Sequence, residues 1–364
     1  MQVKSVRDAV VEGRRVLLRV DFNVPLDYSA GQAAVADDSR IRAALPTIQL
    51  LLEKKAAKII LLSHLGRPGG KVVESLRVAP VFAHLQTLID TTIIEMHENL
   101  RFNAGEEDND SAFAQELASL GDVFVNDAFA DSHRAHASIV GVPKLLPSYA
   151  GLLMEKEIEK SLQALTPQHP AIAIIGGAKF ETKVPLLKKL ASLYDTVLIG
   201  GALANDLLKT RGLPVGSSLV SNTPVPEEIA GNDNVLAPTD VALMDSKTHT
   251  GRSAVVSDTR AAERIVDVGP VTAAAWAARV ARAQFVVWNG PLGVYEEGYV
   301  DATDALAEAL AGSEAHAVVG GGDTLAALSK FTFDTEKIFL STGGGAMLEF
   351  LAEGSLPGIE ALKR

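Results

Sequence analysis

The sequence predicts an α/β fold of two domains, each built on a mainly parallel sheet and joined by a helix. Three observations predict it. The chain has 364 residues, more than one hydrophobic core usually serves. Short, continuous apolar runs recur along it, as expected of strands buried on both faces. Each run is followed by a polar or glycine-rich stretch and then by helix-like sequence, and that alternation indicates parallel sheets.

Taken in order, the first part carries strands in "RVLLRVDFNVP", "AKIILLSHLGRP", "TTIIEMHENLRF" and "DVFVNDAFADSHRAHAS". These define a first domain over residues 1–150. Pro143 and Pro147 then interrupt regular structure. A charged helix is expected from Leu152 to Leu165, with Pro167 and Pro170 beyond its end. Residues 151–168 are read as the connection. The second domain, 169–345, carries strands in "AIAIIGGAKFETKVPLLKKL", "TVLIGGALANDLLKT", "FVVWNGPLGVYEEG", "AVVGGGDTLAALSK" and "IFLSTGGGAMLEFLA". In such sheets ligands bind beyond the carboxyl ends of the strands. The polar and glycine residues stand at those ends, run after run.

Composition narrows the function. Hydrophobic residues make up 47% and aromatics only 5%. No stretch approaches the ~20 apolar residues of a membrane span, and the N-terminus lacks the apolar core of an export signal. There is no cysteine, so disulfides, thiolate chemistry and cysteine-held zinc are excluded. A reducing cytoplasm fits, and a monomer is the default expectation. A net charge of −11 and few stacking aromatics argue against nucleic-acid binding. The charge is uneven: up to Ala150 there are 16 Lys and Arg against 19 Asp and Glu, and beyond it 18 against 26. Ten of the 17 arginines lie in the first part. Arginine grips anionic oxygens in a two-pronged geometry, so a small anion is the expected ligand there.

Glycines follow the strands of the second part: Gly176-Gly177, Gly200-Gly201, Gly320-Gly321-Gly322 and Gly343-Gly344-Gly345. A helix that starts after such a turn offers unpaired N–H groups and the positive end of its dipole to phosphate. One such turn fits packing alone; four favour phosphate. None has the spacing of a P-loop or a dinucleotide fingerprint. Lys179 and Lys183, four apart, are expected on one face of a helix's first turns, where they oppose the dipole unless an anion sits between them. The plainer alternative is two surface lysines. Asp323 is either a helix cap or a ligand for Mg²⁺ beside phosphate, with Thr324 donating to phosphate. In the first part, Asp21, Asn23, Arg40, His64, Arg67, Arg101 and Arg134 gather at strand ends. Each has a structural reading as turn former, satisfied histidine or surface arginine. Together they fit a basic anion pocket. His133 and His136 have no evident acid partner, which argues against a metal there, and no nucleophile elbow appears.

The motifs "RVDFNVP", "LLSHLGRP", "ENLRF", "VNDAFADSHRAHAS", "IGGAKFETK", "VWNGPLGVYE", "VGGGDT" and "STGGGA" resemble those of the phosphoglycerate kinases, in the same order, from about Val16 to Pro357. The resemblance implies two Rossmann-like, three-layer αβα domains facing each other across a hinged cleft, with 346–364 packing back on the first. It implies reversible, Mg²⁺-dependent phosphoryl transfer between 1,3-bisphosphoglycerate and ADP, giving 3-phosphoglycerate and ATP. Alternatives are a kinase for another small carboxylate and a silent nucleotide-binding scaffold. Carried over by position, Asp21, Phe22 and Asn23 would meet the glycerate. His64, Leu65, Gly66, Arg67, Arg101 and Arg134 would form the clamp on its phosphate. Arg40, Lys179, Lys183, Gly322 and Gly345 would serve the transferring group. Lys179, Lys183, Gly200, Gly201, Asn289, Pro291, Glu296, Gly321, Gly322, Asp323 and Thr324 would hold nucleotide, with Lys183 on its phosphates and Asp323 on Mg²⁺. Two departures stand out. "HLQTLIDTTIIEMHENLRF" runs almost directly across where the family has a further strand–helix unit, and the helix before "NVLAPTDVAL" is short. A trimmed first sheet and a compact second domain are therefore expected. Asp131-Ser132 replaces Gly-Thr-Ala-type residues.

Overall fold

The computed structural model describes residues 3–29, 31, 33–178, 180 and 183–363. The chain forms two compact units: Met1–Glu159 with Ser355–Arg364, and Lys160–Gly354.

The first unit opens with β1 (Arg15–Arg19) and a small hairpin, β2 (Leu26–Asp27) and β3 (Ala34–Val35). Then come α1 (Ser39–Glu53), β4 (Lys58–Leu62), α2 (Ala79–Gln86), β5 (Ile94–Met96), α3 (Ala104–Glu107) and α4 (Ser111–Ser119). β6 (Val123–Asn126) and β7 (Ser148–Ala150) follow, and then α5 (Leu152–Leu165), along which the chain passes from the first unit to the second at Glu159–Lys160. The sheet order is β5-β4-β1-β6-β7, parallel throughout. Its apolar runs are continuous because both faces are covered. Val16, Leu18, Ile59 and Leu61 pack with Ile41 and Ile48 of α1. The alternate residues Leu17, Leu62 and Phe124 pack with Phe113 and Leu117 of α4. Only residues 87–93 separate α2 from β5. The chain steps outward from β1 to β5, then crosses to β6 on the other side. That reversal opens a crevice at the carboxyl ends of β1 and β6.

The second unit repeats the scheme. β8 (Ala171–Ile175), α6 (Val184–Leu193), β9 (Thr196–Ile199), α7 (Gly201–Thr210), α8 (Glu227–Ala230) and β10 (Val235–Leu236) come first. An antiparallel sheet of β11 (Asp240–Asp245), β12 (Gly251–Val255) and β13 (Glu263–Val268) follows. Then come α9 (Pro270–Val280), β14 (Phe285–Asn289), α10 (Asp301–Ala311), β15 (His316–Gly320), α11 (Gly322–Leu328), β16 (Ile338–Ser341) and α12 (Gly344–Glu353). The main sheet order is β10-β9-β8-β14-β15-β16, again parallel, with the reversal between β8 and β14. Finally α13 (Pro357–Leu362) lies in the first unit, where the Gly358 N–H donates to the Ser132 carbonyl at 2.8 Å. Among the described residues no helix is long and apolar enough to cross a membrane.

Candidate active site

The carboxyl edge of the first sheet collects cations. Arg40 is the second residue of α1, where a positive charge opposes the helix dipole. It is held by Asp21, just past β1, with Nη1 2.5 Å from Oδ2. Burial pushes the Asp21 carboxyl above its ordinary value, as does the charge of Asp131, and Arg40 and His64 pull the other way. Asp21 also accepts the Asn23 N–H at 3.1 Å, and the Asn23 Oδ1 accepts the Gly66 N–H at 2.9 Å. These bonds give the pair its expected turn-forming role. Phe22 and Leu65 are buried. The Phe22 N–H donates to Ser63 Oγ at 2.9 Å, and the Leu65 carbonyl accepts from Asn99 at 2.7 Å. The first bond ties the β1 loop to the end of β4, and the second ties the β4 loop to the segment after β5.

Arg101 is buried and donates through Nη1 to the Gly66 carbonyl at 3.1 Å. Arg67 is exposed and Arg134 half-buried. Neither makes a side-chain hydrogen bond or ion pair with any described residue. Two further groups complete the cluster. Arg19, the last residue of β1, is fully buried and donates to Ser138 Oγ at 2.9 Å and Asp131 Oδ2 at 3.0 Å. Asp131 Oδ2 also lies 3.3 Å from His64 Nδ1. Asp21, His64 and Asp131 offer ligand atoms within 4.8 Å of one another. Guanidiniums already bond both carboxylates, so a dication would meet positive charge there. The arrangement suits an anion.

The second unit holds a cavity of about 340 Å³, lined by Gly177, Gly201, Leu219, Ile265, Val266, Pro291, Leu292, Glu296 and Asp323, among others. Apolar walls with a few polar groups at one end suit a flat base and a charged tail. Gly200 is the N-cap of α7. Lys183 Nζ donates to the Gly176 carbonyl at 2.6 Å. Burial pushes its ammonium down to about 8, against the opposing charge of Asp323. Lys183 is the N-cap of α6 rather than part of its first turn as expected, because Pro185, second in the helix, suits a first turn and the helix opens at Val184. Lys179 lies outside the described residues.

The triple glycine behaves differently at each position. Gly321 has φ +104°, and a Cβ on Gly344 would come within 2.2 Å of the Gly321 nitrogen. These two let β15 and α12 touch. At Gly322 and Gly345 an added Cβ would meet nothing within 4 Å. Packing does not demand glycine there. Asn289 donates to the Gly320 carbonyl at 2.8 Å, pinning β14 to β15. Thr324, expected on phosphate, is fully buried, and its Oγ1 accepts the Gly290 N–H at 2.7 Å. Its oxygen therefore serves the turn. Asp323 makes no helix-capping bond; it accepts from Tyr295 Oη at 3.3 Å and stays exposed beside the cavity. A free carboxylate oxygen at that place fits a hard cation.

The phosphoglycerate kinase family model matches residues 6–98 and 90–354. A curated phosphoglycerate kinase of Herpetosiphon aurantiacus is 43% identical, with 100% of this chain and 99% of the relative covered. One from Thermomicrobium roseum is 42% identical over 99% of both. The solved phosphoglycerate kinase of Coxiella burnetii matches with a TM-score of 0.86 at 38% identity, covering 99% of each chain. That of Pyrococcus horikoshii matches at 0.82 and 28%, covering 99% of this chain and 98% of the other. The chain belongs to the phosphoglycerate kinase family. Its alignment to the Herpetosiphon kinase spans 395 positions for 364 residues, so the relative carries stretches this chain lacks. The two family-model matches meet over residues 90–98, where α2 passes almost directly into β5.

Sequence reasoning missed Arg19 and Asp131 as members of this kinase's basic cluster. A signal existed: an arginine inside a strand buried on both faces must find a buried partner. It also missed Leu219, Ile265 and Val266. They come from a loop and an antiparallel strand with no glycine motif.

Proposed function

We propose that the chain transfers a phosphoryl group reversibly between 1,3-bisphosphoglycerate and ADP, giving 3-phosphoglycerate and ATP. The observation that carries this reading, beyond family membership, is the pair of guanidiniums, Arg67 and Arg134, that are unpaired among the described residues, Arg134 close enough to Arg101 for their charges to repel. That is a seat for the phosphate of an anionic acceptor. Asp21 and Asn23 would meet the glycerate hydroxyl and carboxyl region. The second unit would take the nucleotide, with the base between the apolar walls, Glu296 on the ribose, and Lys183 with the bare backbone of Gly322 on phosphate. In the direction of ATP use, a carboxylate oxygen attacks the γ-phosphorus as the bond to the ADP oxygen breaks. Both oxygens are anionic, so no base need remove a proton. Alignment and charge stabilisation are what the protein must supply. Arg40, Lys179, Lys183 and the N–H groups of Gly322 and Gly345 would supply them. Mg²⁺, held by Asp323, would neutralise charge on the donor phosphates.

A coupled assay for ATP formation from 1,3-bisphosphoglycerate, ADP and Mg²⁺ tests the reading; no ATP above background defeats it. In the same assay Arg40→Ala should lower kcat about 10²–10³-fold, the usual loss for one preorganised donor. Unchanged turnover would remove Arg40 from its role.

A further inference from the structure

Asp131 is a second buried carboxylate, beside Asp21, in a pocket read as the seat of an anion. It is buried, in the 3₁₀ turn Phe129–Asp131 that follows β6. Oδ2 accepts from Arg19 at 3.0 Å and lies 3.3 Å from His64 Nδ1; Oδ1 lies 3.9 Å from Arg101 Nη2. Its main-chain carbonyl accepts the Arg134 N–H at 2.9 Å. One acid thus bonds Arg19, faces His64 and Arg101 of the cluster, and anchors the loop of Arg134.

We propose that Asp131 is a built-in counter-anion of the acceptor pocket, a carboxylate that sets how tightly the pocket holds an anionic substrate. This rests on reading that pocket as the phosphoglycerate seat. Neutralising Arg19 alone would need an acid facing Arg19 alone. Asp131 instead shares its two oxygens with His64 and Arg101, which the incoming phosphate needs. Burial on its own would raise its pKa. The charges of His64, Arg19 and Arg101 outweigh that and hold it well below the ordinary value, so the acid stays ionised. A fixed negative charge beside a multiply charged ligand weakens binding. For like charges some 6–8 Å apart at an effective dielectric near 20, the effect is roughly 10- to 100-fold in affinity. The same repulsion hastens departure of 3-phosphoglycerate after transfer.

The test is calorimetric titration of 3-phosphoglycerate, without nucleotide, into the full chain and into Asp131→Asn and Asp131→Ser. Folded variants should bind at least about tenfold tighter than the parent. In steady state they should show KM and kcat falling together, because release slows. Folded variants that bind equally or more weakly overturn the proposal. Loss of the acid leaves Arg19 buried without its partner, so a variant can unfold. Refolding on addition of 3-phosphoglycerate or inorganic phosphate supports the proposal, since the anion then replaces the carboxylate. Unfolding that neither anion reverses overturns it and makes Asp131 a support of the fold. A parent chain that does not bind 3-phosphoglycerate defeats the reading of the pocket, a separate failure.

Discussion

Lys183 shows how one side chain can be tuned by its seat. Its Nζ is bonded to the Gly176 carbonyl, and burial lowers its pKa to about 8. A phosphate ligand prefers the charged ammonium. Binding therefore draws on a proton that the free protein holds nearly fully about a unit below pH 8 and loses as pH rises through it. The Kd for ADP, measured by calorimetry, should be flat below pH 7.5 and weaken roughly tenfold per unit once well above pH 8, until the free protein's proton is gone and the bound state begins to titrate. Lys183→Arg keeps its charge across this range and should flatten the profile. A wild-type Kd that does not move between pH 7 and 9.5 would show that Lys183 does not hold phosphate. Residues of this kind were legible in the sequence because a strand, a glycine pair and a lysine stand in fixed order. Arg19 and Asp131 were not, because their pairing joins positions 112 apart in the chain and neither belongs to a spaced motif.

The strand–turn–helix unit is the element that repeats, and its glycines divide by task. Gly344 allows α12 to start against the β15 turn; Gly345, one residue on, faces open space. The contrast predicts opposite outcomes. Gly344→Ala drives a Cβ into the Gly321 backbone, which cannot yield as a flexible side chain would. It should destabilise the protein by about 1–3 kcal/mol, the usual cost of overpacking, read from urea unfolding. Gly345→Ala should leave the unfolding midpoint almost unchanged yet lower turnover, if the bare backbone there meets phosphate. Equal stability losses for both would mean that the two glycines serve packing alike. At this scale the sequence read well where strands are buried on both faces. Leu152–Leu165 is helical as expected, and the apolar runs are the parallel strands. The antiparallel β11–β13 sheet escaped because β12, "GRSAV", alternates between exposed and half-buried positions and has no apolar run. The start of α6 escaped because proline placement overrode the i, i+4 reading of its lysines.

At the scale of the whole molecule, the described residues of the proposed acceptor pocket belong to one unit, and the described residues lining the cavity proposed for the nucleotide belong to the other. On that reading each ligand can bind alone. Transfer cannot proceed that way: the γ-phosphorus must come within bonding reach of the acceptor carboxylate, and water competes for it until it is excluded. We therefore propose that the chain ties closure of its units to double occupancy. With both bound, Arg40 and the lysines can share the charge of one transferring group. Small-angle scattering should then show a smaller radius of gyration with 3-phosphoglycerate and Mg-ADP together than with either alone, since such closures are the usual gating step in enzymes that must shield a reactive group. Equal radii in all states would break the link between occupancy and closure. Catalysis would then need an arrangement of the units already competent before either ligand arrives. In that case Arg40→Ala should weaken binding of each ligand separately, with no loss confined to the ternary state.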